Sequence, residues 1–335
     1  MAESSTARSD EDVLGPEQMG AVLERVGVHR EVVSVRPLSG GVSSDVQEVV
    51  TTTDRLVVKI ALPRLKVAED WFASVSRAAV ERRALTLAGG WTPGAVPDVV
   101  AYDDEAAIIV LRHLGDGLTP WKPELLAGRT RPGTGARLAR LLAAWQWHGA
   151  DGVDMLGPDA AANFEELRTA PFYRTVAERM PEVADEVASL VADAAARHDV
   201  LVHGDFSPKN ILVGAHTVVL DWEVAHLGDP AYDPAFLSCH LLLKSIARPA
   251  SGVTRILDEF TGTLALLLPD LDWSRVWRHA GALLLARVVG KSPVDYLDDD
   301  RARQALALGR RLLAIPPDTA LAAAELLGEA PTSTS

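Results

Sequence analysis

The chain has 335 residues, 48% of them hydrophobic, and a formal charge of −13 from 33 basic and 46 acidic side chains. That length supports two cores but not a string of domains, and the acidic balance argues against nucleic acid and mildly favours cationic small substrates. Its single cysteine, Cys239, allows no internal disulfide, and no apolar run reaches the ~20 residues a bilayer requires, so a cytoplasmic protein with a buried, inert thiol and no membrane partner is expected.

In chain order, residues 1–12 and 329–335 read as disordered tails, and the polar, acidic start lacks a signal-peptide pattern. Residues 17–28 read as a short helix. Strand-like segments follow at 31–38, 46–53 and 55–60, with Gly40-Gly41 and Thr53-Asp54 as turns. The spacing of Trp71, Val75, Ala79, Ala84 and Leu85 predicts a helix over 67–88, ended by Gly89-Gly90 and Pro93. Two more strands are expected at 98–101 and 106–111. Beyond residue 114 the pattern is helical at 137–148, 183–197, 233–244, 253–267, 273–289 and 301–315, with brief β-like runs at 200–202, 211–213 and 218–220. The expected fold is α+β and bilobal: a small β-rich lobe over 13–114 and a larger, mainly helical lobe over 115–328. A hinge is expected at 111–117, with a ligand cleft between the lobes.

The chemistry concentrates in His203-Gly204-Asp205-Phe206-Ser207-Pro208-Lys209-Asn210 and in Val218-Val219-Leu220-Asp221-Trp222-Glu223. Phosphoryl transfer needs one carboxylate to orient an attacking hydroxyl and accept its proton, and oxygen ligands to hold Mg²⁺ against the phosphates. Asp205 suits the first task; Asn210 and Asp221 suit the second.

This order, H-G-D-x-x-x-x-N followed by a strand-borne Asp, resembles the aminoglycoside phosphotransferase and choline kinase family, which has the protein-kinase-like fold. The resemblance implies ATP as donor, Mg²⁺ as cofactor and a small-molecule hydroxyl as acceptor: an amino sugar, a sugar, a thioribose-like compound or an amino alcohol. Asp221-Trp222-Glu223 is similar to the D-x-E of methylthioribose kinases, which implies Glu223 as a further metal ligand. Lys59, at the end of an apolar strand in a chain with only six lysines, resembles the family's ATP-binding lysine, and Glu81 fits its acidic partner. Gly40, Gly41, Ser43 and Ser44 resemble the nucleotide loop, where glycines let backbone N–H groups approach phosphate.

His203 reads as a backbone brace, since in kinase-like folds the Asp does the proton work. Asp229 and Asp233 resemble the family's G-D-P-x-x-D stretch and read as a loop brace and a helix N-cap. Lys209 either touches the γ-phosphate or is solvated. Arg287 either lines the acceptor pocket or serves a helix C-terminus; the first residue of the twin-arginine pair found in methylthioribose kinases is Ala286 here. Trp121, Trp145, Trp147, Trp273 and Trp277 read mostly as core. Two other classes fit these residues less well. A catalytically inactive nucleotide-binding module of the same fold would lack Lys59, Asp205 or Asn210, and all are present. A metal hydrolase built on His203, Asp205, Asp221 and Glu223 would call for more histidines.

Overall fold

Two runs of β-branched residues joined by Thr52–Asp54 start the first sheet. The computed structural model describes residues 14–38, 43–64 and 74–328; the expected tails, Trp71, Gly40 and Gly41 lie outside these. The helix α1 (Pro16–Arg25) opens with Pro at its first position, and the Gln18 side chain accepts a 2.8 Å hydrogen bond from the Gly15 N–H. Then come β1 (Val32–Pro37), β2 (Ser44–Thr51), β3 (Arg55–Ala61), α2 (Arg77–Trp91), β4 (Val99–Asp103) and β5 (Ile108–Arg112). The strands form one antiparallel sheet in the order β1-β2-β3-β5-β4. Val49, Leu56, Val58 and Val110 pack with Met19 and Leu23 of α1 on one face. Strand side chains alternate faces, so Lys59, paired with Val46 and Ile109, projects to the other face, where α2 lies.

Of the helix expected over 67–88, residues 67–73 lie outside the described residues; α2 begins at Arg77 and continues through Gly89-Gly90 to Trp91. Tertiary contacts carry it past the two glycines. The Trp91 ring stacks on His148 at 4.3 Å, and Trp145 Nε1 donates to Thr92 Oγ1 at 2.8 Å.

The rest of the chain is mainly helical: β6 (Thr119–Pro120), α3 (Trp121–Leu126), α4 (Thr134–Trp147), α5 (Ala160–Phe164), a π-helical segment (Glu165–Arg174), α6 (Thr175–Arg179), α7 (Ala184–Ala195), β7 (Val200–Val202), β8 (Ile211–Val213), β9 (Thr217–Val219), β10 (His226–Gly228), α8 (Tyr232–Ala247), α9 (Val253–Leu267), α10 (Trp273–Val289), α11 (Asp299–Ala314) and α12 (Ala323–Leu327). β7 pairs with β10, and β8 with β6 and β9, all antiparallel. The main core runs from Val80 and Ala84 of α2 through Leu138 and Leu142 of α4 to Leu241, Leu257 and Leu284. Trp121, Trp145, Trp273 and Trp277 are buried, whereas Trp147, expected in the core, is exposed. No described helix is long and apolar enough to cross a membrane.

Helices α4 and α9 touch at backbone distance through Gly135. A Cβ there would lie 2.2 Å from the Ile256 carbonyl oxygen and 2.8 Å from the Phe260 nitrogen. Gly135→Ala should therefore lower unfolding free energy by about 1–3 kcal/mol. Gly20→Ala, in α1 with nothing within 4 Å of the added methyl, should raise it by roughly 0.5–1 kcal/mol. Urea unfolding of the two variants beside the parent checks the sign of each.

Candidate active site

The turn after β7 needs a glycine. Gly204 has φ 81°, and a Cβ on it would fall 2.8 Å from the Val224 carbonyl oxygen. The backbone N–H groups of His203 and Gly204 donate to Asp233 Oδ2 and Oδ1 at 2.7 and 3.0 Å. Asp233 was expected to cap α8, but Ala231 holds the cap position. Asp233 lies inside the first turn, where its buried carboxylate has the more demanding task of satisfying two buried donors. Burial pushes it up to about 7 while those two N–H groups pull it back.

His203 is fully engaged: Nδ1 accepts from the Asp205 N–H at 3.0 Å and Nε2 donates to the Leu220 carbonyl at 2.9 Å. Burial lowers it to about 4, so the ring is neutral and braces backbone on both sides. Asp229 accepts from the Ala231 N–H at 2.9 Å and from Arg275 Nε at 2.5 Å. Burial opposes its ionisation, yet hydrogen bonds from His279 and Arg275 hold it down at about 2.

Asp205 is nearly inaccessible, with Arg168 Nη2 at 2.7 Å and Lys209 Nζ at 2.8 Å from its Oδ2. Burial works against its charge, but these two cations keep it below the usual carboxylate range. Lys209 is thus paired with Asp205. Arg168 also donates through Nε to the Gly204 carbonyl at 3.0 Å. Asn210 Nδ2 donates to the Asp205 carbonyl at 3.0 Å, and its own carbonyl accepts from the Leu220 N–H at 2.8 Å. The Asn210 bonds therefore tie the 203–210 loop to the bend that carries Asp221.

That bend is strained. Asp221 has φ 66°, in the left-handed region that costs an ordinary residue about 1–3 kcal/mol. Its Oδ1 lies 3.1 Å from Lys59 Nζ, and Lys59 also contacts both oxygens of Glu81 at 2.6 and 2.7 Å. Burial opposes the Lys59 charge, but Glu81, Asp221 and Glu223 together raise its pKa and hold it protonated. Burial also works against Asp221, which Lys59 and Lys209 keep ionised. Burial and the charge of Asp221 raise Glu223.

Glu223 receives Arg77 Nε at 3.1 Å. Arg77, fully buried at the start of α2, also donates to the Leu62 carbonyl at 2.6 Å and to that of Ser43. The Ser43 hydroxyl bonds to Glu223. Ser44 is buried at the start of β2 opposite Ala61, while Gly40 and Gly41 lie outside the described residues.

One cavity of about 360 Å³ brings Ser43, Asp205, Lys209, Asp221, Glu223 and Arg287 onto a common wall, with Lys59 bonded to its Asp221. Two residues absent from the sequence reading support the site: Arg168, on the cavity wall, and Arg77, which is not part of that wall but bonds to its Glu223. Arg77 lies one helical turn before Glu81 on the same face, a signal the sequence carried. Arg168 sits in the π-helical segment, which holds Pro171 and matches no simple periodicity.

Residues 34–250 match the phosphotransferase enzyme family, APH. The chain belongs to that family. It is 25% identical over 325 residues to methylthioribose kinase of Geobacillus thermodenitrificans, covering 78% of this chain and 81% of that one. It is 28% identical over 320 residues to methylthioribose kinase of Bacillus cereus strain G9842, covering 77% and 81%. Among solved structures, aminoglycoside phosphotransferase APH(4)-Ia superposes with a TM-score of 0.54 at 15% identity, covering 88% of this chain and 97% of that one. An ethanolamine kinase of Plasmodium vivax superposes with a TM-score of 0.51 at 12% identity, covering 82% and 81%. The fold, sheet-rich at first and helical after, is protein-kinase-like.

Asp233→Ala should leave the His203 and Gly204 N–H groups buried without acceptors. Each lost hydrogen bond to a carboxylate is worth about 1.5–3 kcal/mol. Chemical denaturation should show a loss of roughly that size or more. A variant as stable as the parent would remove Asp233 from the support of this loop.

Proposed function

We propose that the chain transfers the γ-phosphoryl group of ATP to a hydroxyl of a small molecule. The observation that carries this reading is the shared cavity wall: Asp205 and Asp221 line it together, and Lys59, clamped by Glu81, stands 3.1 Å from Asp221. The described part of residues 13–114 acts as the nucleotide lobe, with Lys59 on the α/β-phosphates and Ser43 and Ser44 on the nucleotide side. Residues 115–328 carry the base and the acceptor site. A thermostable mutant of APH(4)-Ia has been solved in ternary complex with AMP-PNP and hygromycin B, which supports an adenine nucleotide as donor.

The donor set suits Mg²⁺. Asp221 and Glu223 offer hard carboxylate oxygens, and the Asn210 amide nitrogen is already used on the Asp205 carbonyl, so its oxygen is the atom left to meet a cation. Among the described residues no group of three or more His, Cys, Asp or Glu forms a ready-made metal cage. Mg²⁺ usually binds through one or two carboxylates together with substrate phosphates and water. Bound there, the ion would neutralise phosphate charge as it develops. His203 is excluded as ligand or base, because both ring nitrogens serve the backbone.

Asp205 then receives the acceptor hydroxyl, orients it toward the γ-phosphorus and takes its proton. Arg168 and Lys209 keep that carboxylate ionised and beside the incoming phosphoryl. Positioning and electrostatics supply most of the acceleration in such transfers.

Asp205→Asn should lower kcat by about 10²–10⁴-fold, with little change in the KM for ATP, in a Mg²⁺-dependent assay over sugars, amino sugars, amino alcohols and hydroxy acids. Unchanged turnover would remove Asp205 from the chemistry. Failure of every acceptor to consume ATP would favour a non-catalytic nucleotide-binding module.

The pH profile gives a separate check. Since Arg168 lowers the Asp205 pKa, Arg168→Met should raise it. Activity needs the ionised base, so the acid limb of kcat/KM should move to higher pH, and Arg168→Lys should restore part of the shift. An acid limb that stays in place would contradict the assigned pairing.

A further inference from the structure

The phosphoryl-transfer chemistry uses one end of the cavity; the other end is closed by α8, the last turn of α10 and residues 292–296. The side chains there are basic. Lys244 is only 1% exposed. Its ammonium reaches the His240 backbone carbonyl at 3.4 Å and lies 5.3 Å from the Tyr296 ring centre. Arg287 donates through Nη1 to Ser292 Oγ at 2.9 Å, but its Nε is buried without a partner. The Tyr296 hydroxyl is likewise buried and unpaired. Lys122 of α3 lines the same cavity.

Among the described residues none of these three cations forms an ion pair with an acid. Asp295, on the same stretch of wall, is solvent-exposed. A buried cation without a counter-charge is costly, and fixed buried polar groups are normally paired. Burial, with Lys122 and Arg287 adding repulsion, lowers Lys244 to about 7, and burial lowers Arg287 as well. The missing element is negative charge, and a bound molecule can bring it.

We propose that Lys244, Arg287 and the Tyr296 hydroxyl bind an anionic group of the acceptor, so that the substrate is a hydroxyl compound bearing a carboxylate or a phosphate. The inference rests on the phosphotransferase reading and narrows its acceptor. The guanidinium offers directed N–H donors, the ammonium a compact charge and the phenol a further donor. Asp205, Lys244 and Arg287 line the same cavity of about 360 Å³, so one small molecule can place its hydroxyl at Asp205 and its anion at the basic end. Aminoglycosides and amino alcohols would bring a cation to a cationic wall.

Calorimetry on the full chain, with ADP and Mg²⁺ present to fill the nucleotide end, tests this directly. One arm uses hydroxy and sugar acids such as glycerate and gluconate. A second uses phosphate esters such as glycerol 3-phosphate and glucose 6-phosphate. A third uses glucose, choline and kanamycin. Binding by a member of the first or second arm is expected, and which arm responds identifies the anion. Lys244→Met and Arg287→Gln should each weaken that binding by about 10–100-fold while ADP affinity stays put. Lys244→Met should also melt no lower than the parent, because a buried unpaired charge is replaced by an apolar chain of similar length.

The inference is overturned if a protein that binds ADP takes only third-arm compounds, if it binds no anionic compound, or if both variants bind the anion as the parent does. Absence of nucleotide binding, or of ATP turnover with a bound anionic hydroxyl compound, would count instead against the phosphotransferase reading.

Discussion

One buried ammonium joins the two parts of this structure. Lys59 stands on a central strand of the sheet, its clamp Glu81 on the helix behind it, and Asp221 on the bend after β9, 162 residues away in sequence. Buried ion pairs add little net stability, because desolvation offsets most of the attraction, yet breaking one partner leaves a charge stranded. The Lys59 arrangement therefore works as a positional constraint. Three carboxylates face two cations, Lys59 and Arg77, at this end, and burial raises Glu81 to about 7. The excess negative charge is what a divalent cation bound at Asp221 and Glu223 would relieve.

The 203–210 loop answers a different constraint, which is backbone satisfaction. Its turn depends on Gly204 at positive φ, on Asp233 accepting two N–H groups and on a neutral His203 bridging to Leu220. The same bridge, with the Leu220 N–H to Asn210 bond, anchors the chain one residue before the strained Asp221. The strain is thus held by neighbours on both loops. With this backbone the Asp221 carboxylate meets Lys59 and lines the cavity. The low pKa of Asp205 has a corollary for the proposed mechanism. A carboxylate stabilised by two cations is a weak base, so orientation of the hydroxyl has to contribute more than proton affinity does.

The sequence carried more of this arrangement than of the packing around it. Strands were legible because β-branched runs alternate and end at turn residues, and α9 and α10 have the spans expected from their 3.6-residue spacing. The chemical loops were legible because a few fixed spacings serve them. Three features were not, each for a tertiary reason. Gly89-Gly90 resembles a helix stop, but Gly89 sits where a Cβ would come 3.2 Å from Val96 Cγ2, and the Trp91–His148 stack continues the helix. Residues 165–174 form a π-helical stretch around Pro171 that no 3.6-residue template matches, and this hid Arg168. Asp233 has the composition of a cap, and only the fold shows that its partners are thirty residues upstream.

Net charge is a weak guide to a buried pocket, and the reason is geometric. An overall −13 describes the surface, yet three of the six lysines, Lys122, Lys209 and Lys244, line one cavity, and a fourth, Lys59, is bonded to its Asp221. Most of the remaining positive charge is arginine, much of it in exposed pairs such as Arg301–Asp298 and Arg310–Glu182. Exposed pairs are screened by water and contribute little beyond solubility. Charges inside a low-dielectric cavity act at full strength on whatever enters it. Where Lys122, Lys244 and Arg287 line the cavity, the local charge is therefore opposite in sign to the one that the composition suggests, and the proposed anion site uses that local charge rather than the surface's.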